Sequence, residues 1–388
     1  MLLSIALIIL SGLLLGNICK KLRFPSLFGM IIAGIIIGPS VFNLIDPSIL
    51  SISSEIRRIA LIIILIRAGL KLDLSDLRKV GRPAILMCFL PACFEIGGMV
   101  MLAPILFDMN RLDAAILGAV IGAVSPAVIV PRMIKLIDEG YGTKKGIPQM
   151  ILAGASVDDV FVIVMFTTFT GLAQGRDVSV MSFINIPISI LFGIIIGALL
   201  GFILYKFFLI TNMRRIIMSV ILLSCSFILS AFETELSYIP FASLIAIMCM
   251  GIVIRQSDKD MAVKLSGQYD KLWTVAEIFL FVLLGASVAV DYLKEAGANA
   301  IILVLLVLLF RMAGVYICMI GTGLTLKEKV FCMVAYTPKA TVQAAIGGLP
   351  LAMGLSCGEL VLTVSVVAIL LTAPLGAFGI DMTYKKYL

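Results

Sequence analysis

Asp158 and Asp159 stand side by side in Val157-Asp158-Asp159-Val160, near the middle of an apolar stretch that runs from Pro148 to Ala173. A carboxylate at bilayer mid-depth costs roughly 2.5–3.5 kcal/mol on insertion scales, so buried acids there mark ion or proton paths. Two in a row make a candidate site for a cation or a proton. Neighbours on a helix point about 100° apart, so the pair is expected to divide its roles. One carboxylate faces the ion path; the other turns toward a basic partner, with Arg311 the leading candidate because an arginine stays charged when buried.

Three further charged residues are expected at the same depth. Glu95 lies 31 residues before Pro126 and Arg311 lies 27 before Pro338, each the thirteenth residue of its apolar stretch, and Lys339 follows Pro338 directly. As ionised groups Glu95, Asp158, Asp159, Arg311 and Lys339 sum to three negative and two positive charges. In a low dielectric the excess negative charge is met by a bound cation or by protonation. A carboxylate that holds either but not both is the chemistry of antiport. There is no histidine, so any pH response must come from carboxylates that titrate as a coupled unit. Glu95 competes with the aspartates for Arg311; a switching pair and a purely structural one both stay open. Lys339 is expected to offset the dipole of a half-helix. Arg67 is expected to snorkel at a span end, and Glu277, close to Trp273, to lie at the interface.

The elements that position these groups are membrane spans. The chain of 388 residues is 61% hydrophobic and 14% charged, with mean hydropathy +1.17, well outside the range of soluble domains. Thirteen apolar stretches are long enough to cross a bilayer: residues 2–18, 26–42, 55–70, 83–107, 113–136, 148–173, 183–209, 216–231, 238–254, 273–290, 299–322, 328–353 and 359–381. Connections after odd-numbered spans, with the C-terminal tail, carry 22 basic residues against five (Arg57, Arg58, Arg111, Arg176, Lys294) on the other side. The 22 include Arg23, Arg78 and Lys79. The positive-inside rule then puts the N-terminus outside and the C-terminus in the cytoplasm of a plasma (inner) membrane. The net charge of +7 is accounted for by this asymmetry, and a nucleic-acid partner is not expected. The first helix has the reverse of a signal peptide's charge order, with Lys20-Lys21-Leu22-Arg23 behind it, and is expected to be retained. Eight scattered cysteines without a CxxC pair read as small core residues rather than zinc ligands, and no cofactor is expected.

Spans five and twelve share an interruption: Ser125-Pro126 in one and Thr337-Pro338 in the other. Proline removes a backbone donor and clashes with the preceding turn, so both spans are expected to break at mid-membrane, leaving half-helix ends that face each other inside the protein. The breaks are seven spans apart, an odd number, so the two halves have opposite orientation. Paired interruptions in inverted halves are the sequence pointer to a transport site. An intramembrane aspartyl protease would need two acids converging from different helices, whereas these diverge from one, so an enzyme is not expected. The alternative transport reading is a sodium-coupled symporter of an organic anion, which would need an anion pocket in a core that is acidic.

Arg67-Ala68-Gly69-Leu70, Ala123-Val124-Ser125-Pro126-Ala127-Val128-Ile129-Val130-Pro131, Ala155-Ser156-Val157-Asp158-Asp159, Lys327-Glu328-Lys329-Val330-Phe331 and Pro338-Lys339-Ala340-Thr341-Val342-Gln343-Ala344-Ala345 together resemble the monovalent cation:proton antiporters of the NhaA/NapA fold. The likeness is closest to the sodium/proton exchanger branch with the animal NHA exchangers. The resemblance implies an all-α polytopic membrane protein of about 13 helices, with inverted repeats and two discontinuous helices. It implies a homodimer that exchanges sodium or lithium for protons, in the service of pH homeostasis, by an elevator-type motion. The implied division is 1–82 and 216–298 for dimerisation (helices 1–3 and 8–10), 174–215 for linker helix 7, and 83–173 with 299–388 for the transport core (helices 4–6 and 11–13). Asp159 matches the family's main ion- and proton-binding aspartate and Asp158 its neighbour, with Ser125 and Pro126 in the unwound span beside them and Thr337, Pro338 and Lys339 in the other. Arg311 stands where many bacterial relatives have lysine, and an arginine cannot give up its proton, so electrogenic and electroneutral exchange both stay open. The tail after Gly376 ends at Leu388 without an appended soluble domain, and nucleotide- or glutathione-dependent gating is not expected.

Overall fold

A computed structural model describes residues 1–22, 24–72, 81–174, 180–211, 213–235 and 241–388. Of the basic residues that carry the topology argument, Arg23, Arg78, Lys79 and Arg176 lie outside the described residues. The described residues are helical, without strands. In chain order the helices are α1 (Leu2–Lys21), α2 (Ser26–Ile37), α3 (Pro47–Ser51), α4 (Ser53–Lys71), α5 (Arg82–Met87), α6 (Leu90–Phe107), α7 (Arg111–Ile121), α8 (Pro126–Asp138) and α9 (Ile147–Ala173). They continue as α10 (Val180–Thr211), α11 (Arg215–Glu235), α12 (Ser243–Ser257), α13 (Lys259–Ala286), α14 (Val290–Cys318), α15 (Leu326–Ala335), α16 (Thr341–Ile346), α17 (Leu349–Ala352) and α18 (Gly358–Tyr387). Among the described residues, eight helical stretches are long and apolar enough to cross a membrane, and three shorter apolar ones cover 26–37, 243–257 and 341–352.

Local chemistry sets many boundaries. Asn110 opens α7 by accepting the Asp113 N–H at 2.8 Å, and Thr325 and Glu328 form a reciprocal capping box at the start of α15. Pro91 sits in the first turn of α6, where its missing donor is tolerated; the span expected over 83–107 is found as one membrane-length stretch, Arg82–Phe107, with a break between α5 and α6 inside it. The stretch expected at 273–290 differs. Its helix starts at Lys259 and ends at Ala286, because its N-terminal half carries Lys264, Asp270 and Lys271 and so escapes a search for apolar runs.

The chain divides into two compact units: residues 1–57, 76–173 and 278–388, and residues 58–75 and 174–277. In the first, α6 packs against α7 and α14, and α18 against α14, α15 and α8. Small residues let these helices approach: a Cβ on Gly98 would come within 2.7 Å of Phe310 Cγ, and one on Gly314 within 2.8 Å of Pro91 Cα. Each glycine lies three residues past a charged one, Glu95 and Arg311, so close approach of α6 and α14 is also what brings that pair together. In the second unit α10 packs on α12, with Gly193, Gly197 and Gly201 placed against the Ala242, Ala246 and Met250 backbone. Arg67 there pairs with Asp270 at 2.7 Å and lies 5.9 Å from the Trp273 ring, an ion pair where only snorkelling was expected.

Candidate functional site

Two gaps in the helical path face each other. Between α7 and α8 residues 122–125 are not helical, and between α15 and α16 residues 336–340 are not. Pro126 starts α8, its fixed φ suiting a first helical position. The Ser125 N–H donates to the Pro338 carbonyl at 2.8 Å, across the two gaps. Gly376 on α18 backs this crossing, since a Cβ there would run into Pro338.

The charged cluster is built on these gaps. Arg311, wholly buried, donates from Nη1 to Glu95 Oε2 at 2.7 Å and from Nη2 to Asp158 Oδ2 at 2.7 Å. Its remaining donors reach the gaps' carbonyls: Nε donates to Tyr336 O at 2.7 Å, and Nη1 also to Gly122 O. The guanidinium lies 5.1 Å from the Tyr336 ring centroid. Arg311 thus holds both acids at once rather than choosing between them. Asp158 Oδ2 accepts a further bond from the Val124 N–H at 2.8 Å, tying α9 to the first gap.

Lys339 makes a pairing that was not expected. Its Nζ donates to Glu95 Oε2 at 2.6 Å and its N–H to Thr372 Oγ1 at 2.9 Å. A wholly buried ammonium needs a carboxylate, and Glu95 supplies it, a pairing beyond the dipole role expected for Lys339. Thr337 turns away from the cluster and donates to Val334 O at 2.9 Å.

Asp159 differs from its neighbour. It is 8% exposed where Asp158 is wholly buried, and it makes no ion pair among the described residues, while the Oδ1 atoms of both aspartates are buried without a hydrogen-bond partner. Glu95 and Asp158 are matched one for one by Arg311 and Lys339, so the excess negative charge of the five falls on Asp159. Ser125 Oγ and Thr341 Oγ1, at the two gaps, are likewise buried without partners. This leaves acceptor oxygens in the first gap, on Ser125, and directly after the second, on Thr341.

Sequence reasoning passed over three residues that assemble the site. Gln343 donates through Nε2 to the carbonyls of Ile121 (3.1 Å) and Ala123 (2.9 Å), satisfying groups that the first gap frees. Tyr336 supplies a carbonyl and a ring to Arg311, and its hydroxyl donates to Met87 O at 3.0 Å. Thr372 accepts from Lys339. The signal for Gln343 and Thr372 was available as buried polar residues in apolar stretches; of the Tyr336 contacts, the one made by its carbonyl is reported by no residue type. The cysteines are free, and Cys93 is exposed rather than in the core, since a lipid-facing surface is as apolar as an interior.

Comparison with known proteins agrees with the resemblance. The transmembrane sodium/hydrogen exchanger family matches residues 5–386. Sodium/hydrogen exchanger 9B2 of Homo sapiens is 32% identical over 98% of this chain and 73% of its own length, and sodium/hydrogen exchanger 9B1 of Homo sapiens is 30% identical over 98% and 77%. The solved structure of the sodium proton antiporter MjNhaP1 from Methanocaldococcus jannaschii at pH 8 superposes with a TM-score of 0.86 at 20% identity, covering 99% of this chain and 97% of that one, a likeness of fold. A family match over nearly the whole chain, with relatives aligned over most of their own length, makes this multi-pass membrane protein a member of the sodium/hydrogen exchanger family.

Proposed function

We propose that this protein exchanges a monovalent cation, sodium or lithium, for protons, with Asp159 as the carboxylate that binds each in turn and Asp158 as its anchored neighbour. One observation carries the reading: Asp159 is buried and without an ion pair among the described residues, beside four charges that cancel one another. A lone acid in low dielectric is neutralised by a proton or by a bound cation, and the two exclude each other on one carboxylate. Family membership favours exchange over organic-anion symport. The gaps at 122–125 and 336–340 fit two discontinuous spans of an inverted repeat. Their buried oxygens, with those of Asp159, suit a cation that must be held weakly enough to leave. Alternating access is proposed to occur by an elevator motion of residues 83–173 and 299–388. In this reading 1–82 and 216–298 form the fixed side of a homodimer in the plasma membrane, with 174–215 as linker and the N-terminus outside.

The test is proton flux in proteoliposomes with sodium, lithium or potassium added in turn, with and without a potential clamp. Cation-evoked proton movement is expected from the wild-type protein, and none from Asp159→Asn reconstituted to the same density. Dependence on the clamped potential separates electrogenic from electroneutral exchange. Wild-type flux in Asp159→Asn would overturn the site. A protein silent to all three cations that instead takes up a labelled organic anion would overturn the exchange itself.

A further inference from the structure

Arg57 is the buried cation the exchange site does not use. It is 3% exposed; its Nε donates to Ser53 O at 3.3 Å, its Nη1 is buried without a partner, and no ion pair to it exists among the described residues. Among the other described residues, the wholly buried cations are paired: Arg311 and Lys339 both meet carboxylates. A guanidinium removed from water without an anion is costly, so its position points to a negative group that comes from outside the chain.

The surroundings fit one. Arg57 lines a cavity of about 380 Å³ with Ser53, Ser54, Ser287, Gly348 and Leu351, inside the roughly 300–1,000 Å³ typical of small-molecule sites. Ser53 and Ser54 open α4, a helix of 19 residues, so unpaired backbone N–H groups and the positive end of the helix dipole belong to the same residues. Their hydroxyls donate no hydrogen bond among the described residues. The Ser287 hydroxyl is already committed to Leu283 O at 2.8 Å and contributes shape only. Glu55, in the same turn, is exposed and is not part of the lining. Opposite, Gly348 makes room: a Cβ there would lie 2.8 Å from Arg57 Cζ, so a side chain at that position would displace the guanidinium. Leu351, 41% exposed, gives one edge of the cavity an apolar character.

We propose that this cavity is a binding site for a phosphate group, with Arg57 as the bidentate cationic donor and Ser53 and Ser54, hydroxyl and backbone, completing its shell. A planar guanidinium and a helix N-terminus are both matched to phosphate oxygens. The group can be carried by a lipid headgroup or be free phosphate. The site stands apart from Asp159 and does not rest on the exchange reading.

The experiment uses the purified full chain. Native mass spectrometry measures retention of phosphatidylglycerol against diacylglycerol with the same acyl chains, and thermal unfolding is followed with and without inorganic phosphate. Retention of phosphatidylglycerol but not diacylglycerol by the wild type, weakened about ten-fold or more in Arg57→Gln, assigns the site to a lipid headgroup. A rise in melting temperature with inorganic phosphate in the wild type alone assigns it to the free ion. Arg57→Lys, which keeps the charge but loses the fork, should fall between. If Arg57→Gln does not fold, Leu351→Trp, which fills the cavity mouth and leaves Arg57 in place, should lose the same binding. Neither probe binding the wild type, or either binding a folded Arg57→Gln or Leu351→Trp protein as well as wild type, would overturn the proposal.

Discussion

Removing the Arg311 side chain should damage the protein through one carboxylate more than the other. Arg311 contacts Glu95 and Asp158 at 2.7 Å each, but Glu95 keeps Lys339 at 2.6 Å, whereas Asp158 is left with only the Val124 N–H. Breaking a buried pair by deleting one partner costs about 3–5 kcal/mol, because the remaining charge is uncompensated. For a chain of 388 residues, an unfolding entropy of about 2.1 cal/mol/K per residue converts this to a fall of about 4–6 °C in melting temperature. The assay is thermal unfolding of detergent-purified protein, comparing Arg311→Ala, Arg311→Lys and the double variant Arg311→Ala/Asp158→Asn. Arg311→Lys should lose less than Arg311→Ala, since it keeps a cation while forfeiting the two-armed geometry. The double variant should recover most of the loss, because the stranded charge is gone. If the double variant melts as low as Arg311→Ala alone, the damage comes from lost packing against Tyr336 and the two gaps, and the charge argument fails.

Other expectations follow from the same geometry. Asp159→Asn should melt at or above the wild-type temperature while losing flux, because Asp159 has no ion pair among the described residues and its charge is the unmatched one; a large drop in melting temperature would show a structural role instead. Gln343→Ala frees the carbonyls of Ile121 and Ala123 and should cost about 1–3 kcal/mol per buried carbonyl left unpaired, read by the same melting assay; an unchanged melting temperature would mean the first gap does not depend on this side chain. Asp46, in the loop before α3, is held below its ordinary value of 3.8 by hydrogen bonds from the Ser48 hydroxyl and N–H. Its folded pKa is depressed, so its contribution is complete above pH 3.8 and is lost as pH falls below that value. Asp46→Asn should therefore differ from wild type in melting temperature at pH 6, and the difference should shrink toward pH 3; a difference independent of pH would refute the assignment.

Much of the charged cluster was legible in the chain because charge is scarce in an apolar sequence. Glu95, Asp158, Asp159, Arg311 and Lys339 stand out by type alone, and the two Ser/Thr-Pro pairs mark the interruptions by a backbone rule that holds in any environment. The helical class followed from the same source, since continuous apolar runs of about 20 residues suit spanning helices, which satisfy their own backbone groups, and not the shorter strands of a barrel. Residue types also count the charges, three negative and two positive.

Which acid carries the excess was a matter of tertiary structure. The pairing of Arg311 with Asp158, and of Lys339 with Glu95, depends on helix rotation and on approaches permitted by Gly98 and Gly314, none of which a hydropathy pattern records. The same pattern cannot separate inside from outside in a lipid-facing protein: Ile105 is 78% exposed and Ile116 is fully buried, with the same side chain. Hydrophobicity in water reports burial, but in a bilayer both surfaces are apolar. Contacts made through backbone atoms, such as the Tyr336 carbonyl on Arg311 and the Ser125 N–H on the Pro338 carbonyl, leave no trace in residue identity. The sequence determined which charges enter the membrane; only the folded chain decided which of them are paired and which one is not.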